Sequence, residues 1–389
     1  MGTIKLILYT FRDLTIRFLP KGIARLIVKP AEFAFLVHPR DLEDVEKKYP
    51  FVKLFSACLV RFCVKHLWPV IVSPITGLRN KEGKEILGYV VSCPMLASQM
   101  IENRSLAVKR IIQVVKLAEK TGAKIVGLGA LTSSLTKGGL DIKNKININV
   151  TSGYVYTPII VTEHVFKVID KLDIDPVRVL VAVVGAGGNI GSNSAKILVE
   201  KGIRNLLLID LLHRKDKINK LSNELKLINL DVELKLSSKI HDVCQADIII
   251  AATNAPDAVI RSVDLKPGTI IVDDAQPSDI DKEVFIKRDD LLILEGGVIN
   301  TPGIESHFNF GLKNEYDNFS CLGEVLILAH SGLIKNYTPE EINKDLVDKI
   351  KKDADKLDFR VGDFQNYYKI YSEEDIKRIK SIRKKNYGY

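Results

Sequence analysis

Short runs of aliphatic and β-branched residues alternate along this chain with longer segments whose apolar positions recur three and four apart. The first pattern is that of strands covered on both faces, the second that of helices with one covered side. A strand is predicted over 33–37, leaving through His38 and Pro39, with a helix over 41–48. Further strands are predicted at 68–74, 86–92, 124–128 and 146–150, and helices at 110–120, stopped by Gly122, and 157–172. A second series follows, with strands at 178–184, 205–210, 232–236, 246–253, 269–273 and 291–294 and a charged helix over 215–227. From residue 318 the pattern turns helical, over 320–331 and 339–357, before a basic tail. Strands alternating with helices predict an α/β protein with mainly parallel sheets.

The run 178–184 ends in Gly185, and glycine returns at Gly188 and Gly191 as a helix begins with Asn189 and Ile190. One glycine permits a tight turn, a second lets backbone approach a pyrophosphate, and a third lets the helix pack on the strand. The helix start then offers N–H groups and partial positive charge to phosphates. The strand that follows ends in Asp210, where ribose hydroxyls are held in such βαβ units. Arg214 and Lys215 come next, and the loops Thr253-Asn254 and Gly296-Gly297 close later strands at the edge where these folds bind ligands. The expected fold is therefore α/β, with a Rossmann-type domain for a nicotinamide dinucleotide, a second α/β substrate domain and C-terminal helices. The expected divisions are a basic N-terminal segment at 1–30, the substrate domain at 31–160, the dinucleotide domain at 161–300, and a C-terminal part at 301–389 that returns to the substrate domain.

Apolar residues make up 46% of the 389 positions and charged residues 27%, enough for packed cores and too apolar for a disordered chain. Five cysteines without regular spacing argue against a disulfide framework and for a reducing cytoplasm. Cys58, Cys63 and His66 lack the paired spacing of a zinc site, so no metal is expected. The net charge of +9 is concentrated at the ends: six cations against Asp13 within 1–29, and six with no acid from 377 to 385. The N-terminal cations are mixed with Leu6, Ile7, Leu8, Phe11 and Phe18, which suits a membrane surface better than nucleic acid. A helix packed on the protein with solvated lysines accounts for the same pattern.

Cys321 falls in the first turn of the 320–331 helix, where the dipole favours a thiolate, with Glu324 one turn on. A lone cysteine before an apolar helix is also an ordinary buried residue, and Cys93, at a strand end, is its rival. His38, His307 and His330 are candidate acid–base groups, and Ser133 offers a hydroxyl within a small-residue loop; 151–153 offers others.

Several ordered stretches resemble the cyanobacterial-type long-chain acyl–acyl-carrier-protein reductases, which form fatty aldehydes. They are 35–38, 88–93, 128–133, 151–153 with Thr157, 181–192, 294–298 and 321–324, extending from about residue 33 to 335. The resemblance implies that Cys321 accepts the acyl group and that a nicotinamide cofactor reduces the enzyme thioester. It implies a long-chain acyl thioester as substrate, with acyl carrier protein as the expected carrier and coenzyme A the alternative. The expected catalytic set is Cys321, Glu324, His307 and Ser133. The family prefers the phosphorylated cofactor. Here Asp210 would repel a 2′-phosphate while Arg214 and Lys215 would bind it, so NADPH is expected, with NADH the alternative. No nucleic-acid partner is expected, and the protein is placed in the cytoplasm, with contact to a membrane surface through its basic ends. Two other readings remain at this stage: a shikimate- or amino-acid-type dehydrogenase acting on a small carbonyl without covalent chemistry, and a non-catalytic sensor of cofactor redox state.

Overall fold

A computed structural model describes residues 3–339 and 342–387. Residues 1–2 of the expected basic segment, 340–341 of the expected 339–357 helix, and 388–389 of the tail lie outside it. Two compact units result, each taking several stretches of chain: Met1–Val155 with Thr301–Phe310 and Cys321–Phe359, and Tyr156–Asn300 with Gly311–Ser320 and Arg360–Tyr389.

The first unit is built on β1 (Phe33–Val37), β2 (Val70–Ile75), β3 (Gly88–Ser92), β4 (Ile125–Leu128) and β5 (Asn149–Thr151), ordered β2-β3-β1-β4-β5. All pairs are parallel except β2 with β3. The central strands are almost wholly apolar because both faces are covered. The helix Arg104–Thr121 places Ala107, Ile111, Val114, Val115 and Ala118 in that core and ends at Gly122.

The basic N-terminal segment forms two helices, Thr3–Phe18 and Lys21–Ile27, which send Ile16 and Ala24 into the same core, joined by Val28 just past the second helix. Asp13 is buried, accepts hydrogen bonds from Arg12 and the Ile71 N–H, and has its carboxyl pushed up to about 6 by burial. Among the described residues, no helix is long and apolar enough to cross a membrane.

The second unit contains β6 (Leu180–Val184), β7 (Asn205–Ile209), β8 (Glu233–Ser237), β9 (Ile248–Ala251), β10 (Ile270–Asp273) and β11 (Leu292–Glu295). They form one sheet in the order β11-β10-β9-β6-β7-β8, with every pair parallel. This is the doubly wound order, whose reversal beside the first strand opens a crevice at the strands' carboxyl ends. A small antiparallel sheet, β12 (Val298–Asn300), β13 (Asp317–Phe319) and β14 (Arg360–Val361), adjoins it within the same unit.

The C-terminal part divides differently from expectation. Only Thr301–Phe310 and Cys321–Phe359 join the first unit; Gly311–Ser320 and Arg360–Tyr389 belong to the second. The cause is packing: Ile376 and Ile379, one helical turn apart, fill the dinucleotide unit's core. Arg383 is buried there, donating to the Gly268 carbonyl, and Lys380 pairs with Asp173. Two cations of the basic tail are thus engaged within its own unit. The expected 339–357 helix starts later, at Lys344, capped by Asn343.

Candidate active site

In the second unit, β6 runs into Gly185, whose φ of +83° belongs to the left-handed region; a Cβ there would lie 2.5 Å from the Ala252 carbonyl oxygen. Gly191 is likewise required by the fold, because a side chain would strike the Gly185 backbone. Gly188 differs. Its backbone is extended, and a Cβ would meet only the Gly185 oxygen at 3.1 Å and graze the Ala252 oxygen at 4.0 Å. It is the least crowded of the three: the Gly185 carbonyl would have to give by a few tenths of an ångström to admit a Cβ, and the bare backbone is what close approach of a pyrophosphate requires. Asn189 and Ile190 open the Asn189–Glu200 helix beside it. Gly188→Val should therefore remove dinucleotide binding while keeping the fold, at a cost in stability of about 1–2 kcal/mol from the shifted Gly185 carbonyl. Circular dichroism and a fluorescence titration with NADPH and NADH check this, and unchanged binding would make the turn structural only.

Asp210 closes β7 and accepts from the Gly187 N–H at 2.8 Å and the Leu211 N–H at 2.7 Å, so its carboxylate braces the glycine turn. Arg214 lies 3.8 Å from it, and the exposed Lys215 begins the next helix. Thr253 donates to Asp279 through both its N–H, at 3.0 Å, and its hydroxyl, at 2.5 Å, while Asn254 is exposed. Gly296 and Gly297 turn β11 into β12.

A group of carboxylates that sequence reasoning missed lies at this end of the sheet. Burial raises Asp273 to about 7 and Asp274 well above the ordinary range, and it raises Asp279. The Asp274 carboxylate sits over Gly297, 2.5 Å from where a Cβ would stand. Between the ordinary 3.8 and about 7, the folded protein holds a proton on Asp273 that the unfolded chain has released. Stability should therefore fall as pH rises through that window. Asp273→Asn should flatten the fall, gaining about 1–3 kcal/mol at pH above the window and nothing below it, read from thermal melts at both ends.

Cys321 is half-exposed and is the second residue of the helix Ser320–Ser331. The preceding Ser320 is fixed in the second unit, where its N–H donates to the Gly297 carbonyl at 2.7 Å and its hydroxyl lies 2.8 Å from that of Thr157. In the first unit, Val325 would be 3.1 Å from a Cβ on Gly127, so a bare β4 lets this helix approach the sheet. Glu324 is completely buried: one oxygen accepts from the Thr151 hydroxyl and the Gly153 N–H at 3.1 Å, the other from the Val155 N–H at 2.9 Å. Ser133 reaches the same loop, its hydroxyl 3.5 Å from the Ser152 carbonyl. The Ser152 hydroxyl itself is buried and makes no hydrogen bond.

The other candidates go elsewhere. Cys93 is wholly buried and its thiol is pushed up to about 12 by desolvation. His307 is exposed, bonds the Thr76 hydroxyl at 2.9 Å and lies beside Glu305, outside the Glu324 cluster. His38 bonds the Pro39 carbonyl and His330 that of Arg79.

Residues 170–290 match the family described as shikimate / quinate 5-dehydrogenase. The chain is similar to the aminotransferase PigE of a Serratia species, 27% identical over 92% of this chain and 42% of that protein. It is also similar to a long-chain acyl-[acyl-carrier-protein] reductase of Synechococcus elongatus, 26% identical over 69% of this chain and 80% of that protein. A glutamyl-tRNA reductase of Caldivirga maquilingensis is 27% identical over 56% of this chain and 48% of that protein. The chain thus spans less than half the length of two of these relatives. The six-stranded sheet, its glycine turn and the match over 170–290 are together those of a dinucleotide-binding domain of the dehydrogenase type.

Proposed function

We propose that the protein reduces a long-chain acyl thioester to a fatty aldehyde with NADPH, by way of a thioester on Cys321. The observation that carries this reading is the contrast between the two candidate thiols. Cys321 is half-exposed in the first turn of a helix whose Glu324 is locked, whereas Cys93 is sealed in the core. Likeness to the Synechococcus reductase over most of that protein's length supports it.

In this reading the Cys321 thiolate attacks the acyl carbonyl carbon, a C–S bond forms, and the bond to the carrier sulfur breaks so that the carrier leaves as a thiolate that takes a proton from solvent. The Ser152 hydroxyl, buried without a partner, donates to the carbonyl oxygen as negative charge develops there, aided by N–H groups of the helix start. When bound at the glycine turn, the cofactor supplies a hydride to that carbon. The resulting hemithioacetal collapses, the carbon–sulfur bond breaks, and the aldehyde leaves with the Cys321 thiolate restored. Glu324 acts by holding the 151–155 loop. The acyl donor is acyl carrier protein, and five cysteines without regular spacing suit a reducing cytoplasm. Acylation is the direct test: incubation with acyl thioester and no cofactor should add one acyl mass, mapping to Cys321 by peptide mass spectrometry.

NADPH is favoured because Arg214 offsets the charge of Asp210 and, with Lys215, supplies cations for a 2′-phosphate. Replacing both by Ala should weaken NADPH by about 1–3 kcal/mol and NADH far less. A wild type that already prefers NADH would give the decision to Asp210. The competing reading, plain hydride transfer to a small carbonyl, is supported by the match over 170–290. That segment, however, carries the cofactor turn and none of the residues around Cys321.

A further inference from the structure

We propose that the two N-terminal helices and the 54–66 segment of the first unit form a docking face for an anionic lipid bilayer. Both stretches expose large apolar side chains that a solvated helix would bury. On the N-terminal helices, Leu8, Phe11, Phe18 (78% exposed) and Leu26 (86%) face outward. On the other segment Leu54 (84%), Phe55, Leu59 and Phe62 (60%) do the same. The two stretches meet: the Phe11 ring lies 5.6 Å from that of Trp68, whose indole N–H donates to the Thr10 carbonyl. The helix Ala57–His66 ends two residues before that tryptophan. Patches of this kind on a single chain mark an interaction surface.

Charge identifies the partner. Arg17 and Arg25 lie among the apolar residues of the first stretch, where Arg12 and Lys21 are paired with Asp13 and Glu119, and Lys53, Arg61 and Lys65 lie among those of the second. The only acid of 3–29 is Asp13, buried beneath its helix, and 51–66 contains no acid at all. Cations interleaved with exposed Leu and Phe on short helices anchored by their other side are what an anionic interface takes up, the rings entering the headgroup boundary and the cations the lipid charge. An acidic protein partner would find the cations, but it leaves this much exposed apolar surface unexplained. The C-terminal tail belongs to the second unit, where Arg383 and Lys380 are engaged.

The full chain can be tested by co-sedimentation with vesicles of phosphatidylcholine alone and with roughly one third phosphatidylglycerol. The single tryptophan, Trp68, half-buried at the junction of the two stretches, reports the same event by its emission. Binding and a blue shift are expected with the mixed vesicles only, both lost at high salt. The exposed-site variant Phe18→Ser/Leu26→Ser/Phe62→Ser, and separately Arg25→Glu/Arg61→Glu, should each weaken partitioning by about tenfold or more. Lys377→Glu/Lys384→Glu, in the tail, should leave it unchanged. Any of four results overturns the proposal: no binding to anionic vesicles, binding insensitive to both face variants, loss of binding in the tail variant, or a Trp68 shift with acyl carrier protein but not with vesicles. Partitioning does not depend on acylation of Cys321, so its failure would leave the proposed reaction standing.

Discussion

Cys321→Ser should lower aldehyde formation by about 10³-fold or more while leaving NAD(P)H affinity unchanged. A serine hydroxyl in place of the thiol keeps the shape of the first turn but supplies a far poorer nucleophile. The cofactor turn, Gly185 to Gly191, belongs to the other unit and is untouched. Wild type given acyl thioester without cofactor should accumulate as acyl-enzyme, visible as one added acyl mass and absent from the variant. Cys93→Ser is the control. It places a hydroxyl in a fully buried apolar site and should cost about 1–3 kcal/mol of stability, yet the protein that remains folded should keep its activity. Reversed roles would make Cys93 the acceptor despite its burial. If neither change matters, covalent catalysis is excluded and hydride transfer to a free carbonyl takes its place.

Much of this site is legible in the sequence because its determinants are local. A run of apolar residues into Gly185, with glycine at 188 and 191, specifies a strand, a turn and a helix within fifteen residues. The order of the six-stranded sheet then follows from the βαβ rule. Cys321 is equally legible as a position, since the apolar run after Ser320 announces a helix start. What surrounds it is not. Glu324 looks like an exposed acid beside the thiol, but its partners at 151–155 lie some 170 residues away in sequence, beyond any local pattern. Asp273, Asp274 and Asp279 read as the polar loop that ordinarily follows a strand. Only packing reveals that they are desolvated. The fate of the tail has the same origin. Its lysines and arginines are conspicuous, whereas Ile376 and Ile379, which decide where it goes, are two unremarkable apolar residues in a charged helix.

Glu324→Ala should destabilise the protein by about 3 kcal/mol or more, because it strands the Thr151 hydroxyl and the Gly153 and Val155 N–H groups with no acceptor in a dry interior. The loss should appear as a lowered Tm and as loosening of the 151–155 loop by hydrogen exchange. Glu324→Gln separates positioning from acid–base work. The amide oxygen can still accept from Thr151 and Gly153, but its NH₂ then faces the Val155 N–H, so a cost of about 1–2 kcal/mol is expected. If Glu324 only holds the loop, the folded Gln variant should form aldehyde at a rate within about tenfold of wild type, with the pH profile unmoved. If the carboxyl group moves a proton in the reaction, the rate should fall by about 10²–10⁴-fold and one limb of the profile should vanish. Three donors from the loop converge on this carboxylate, and they account for its burial without any contact to a substrate. The expected outcome is therefore the first: Glu324 shapes the wall beside the thiol, and the chemistry belongs to Cys321.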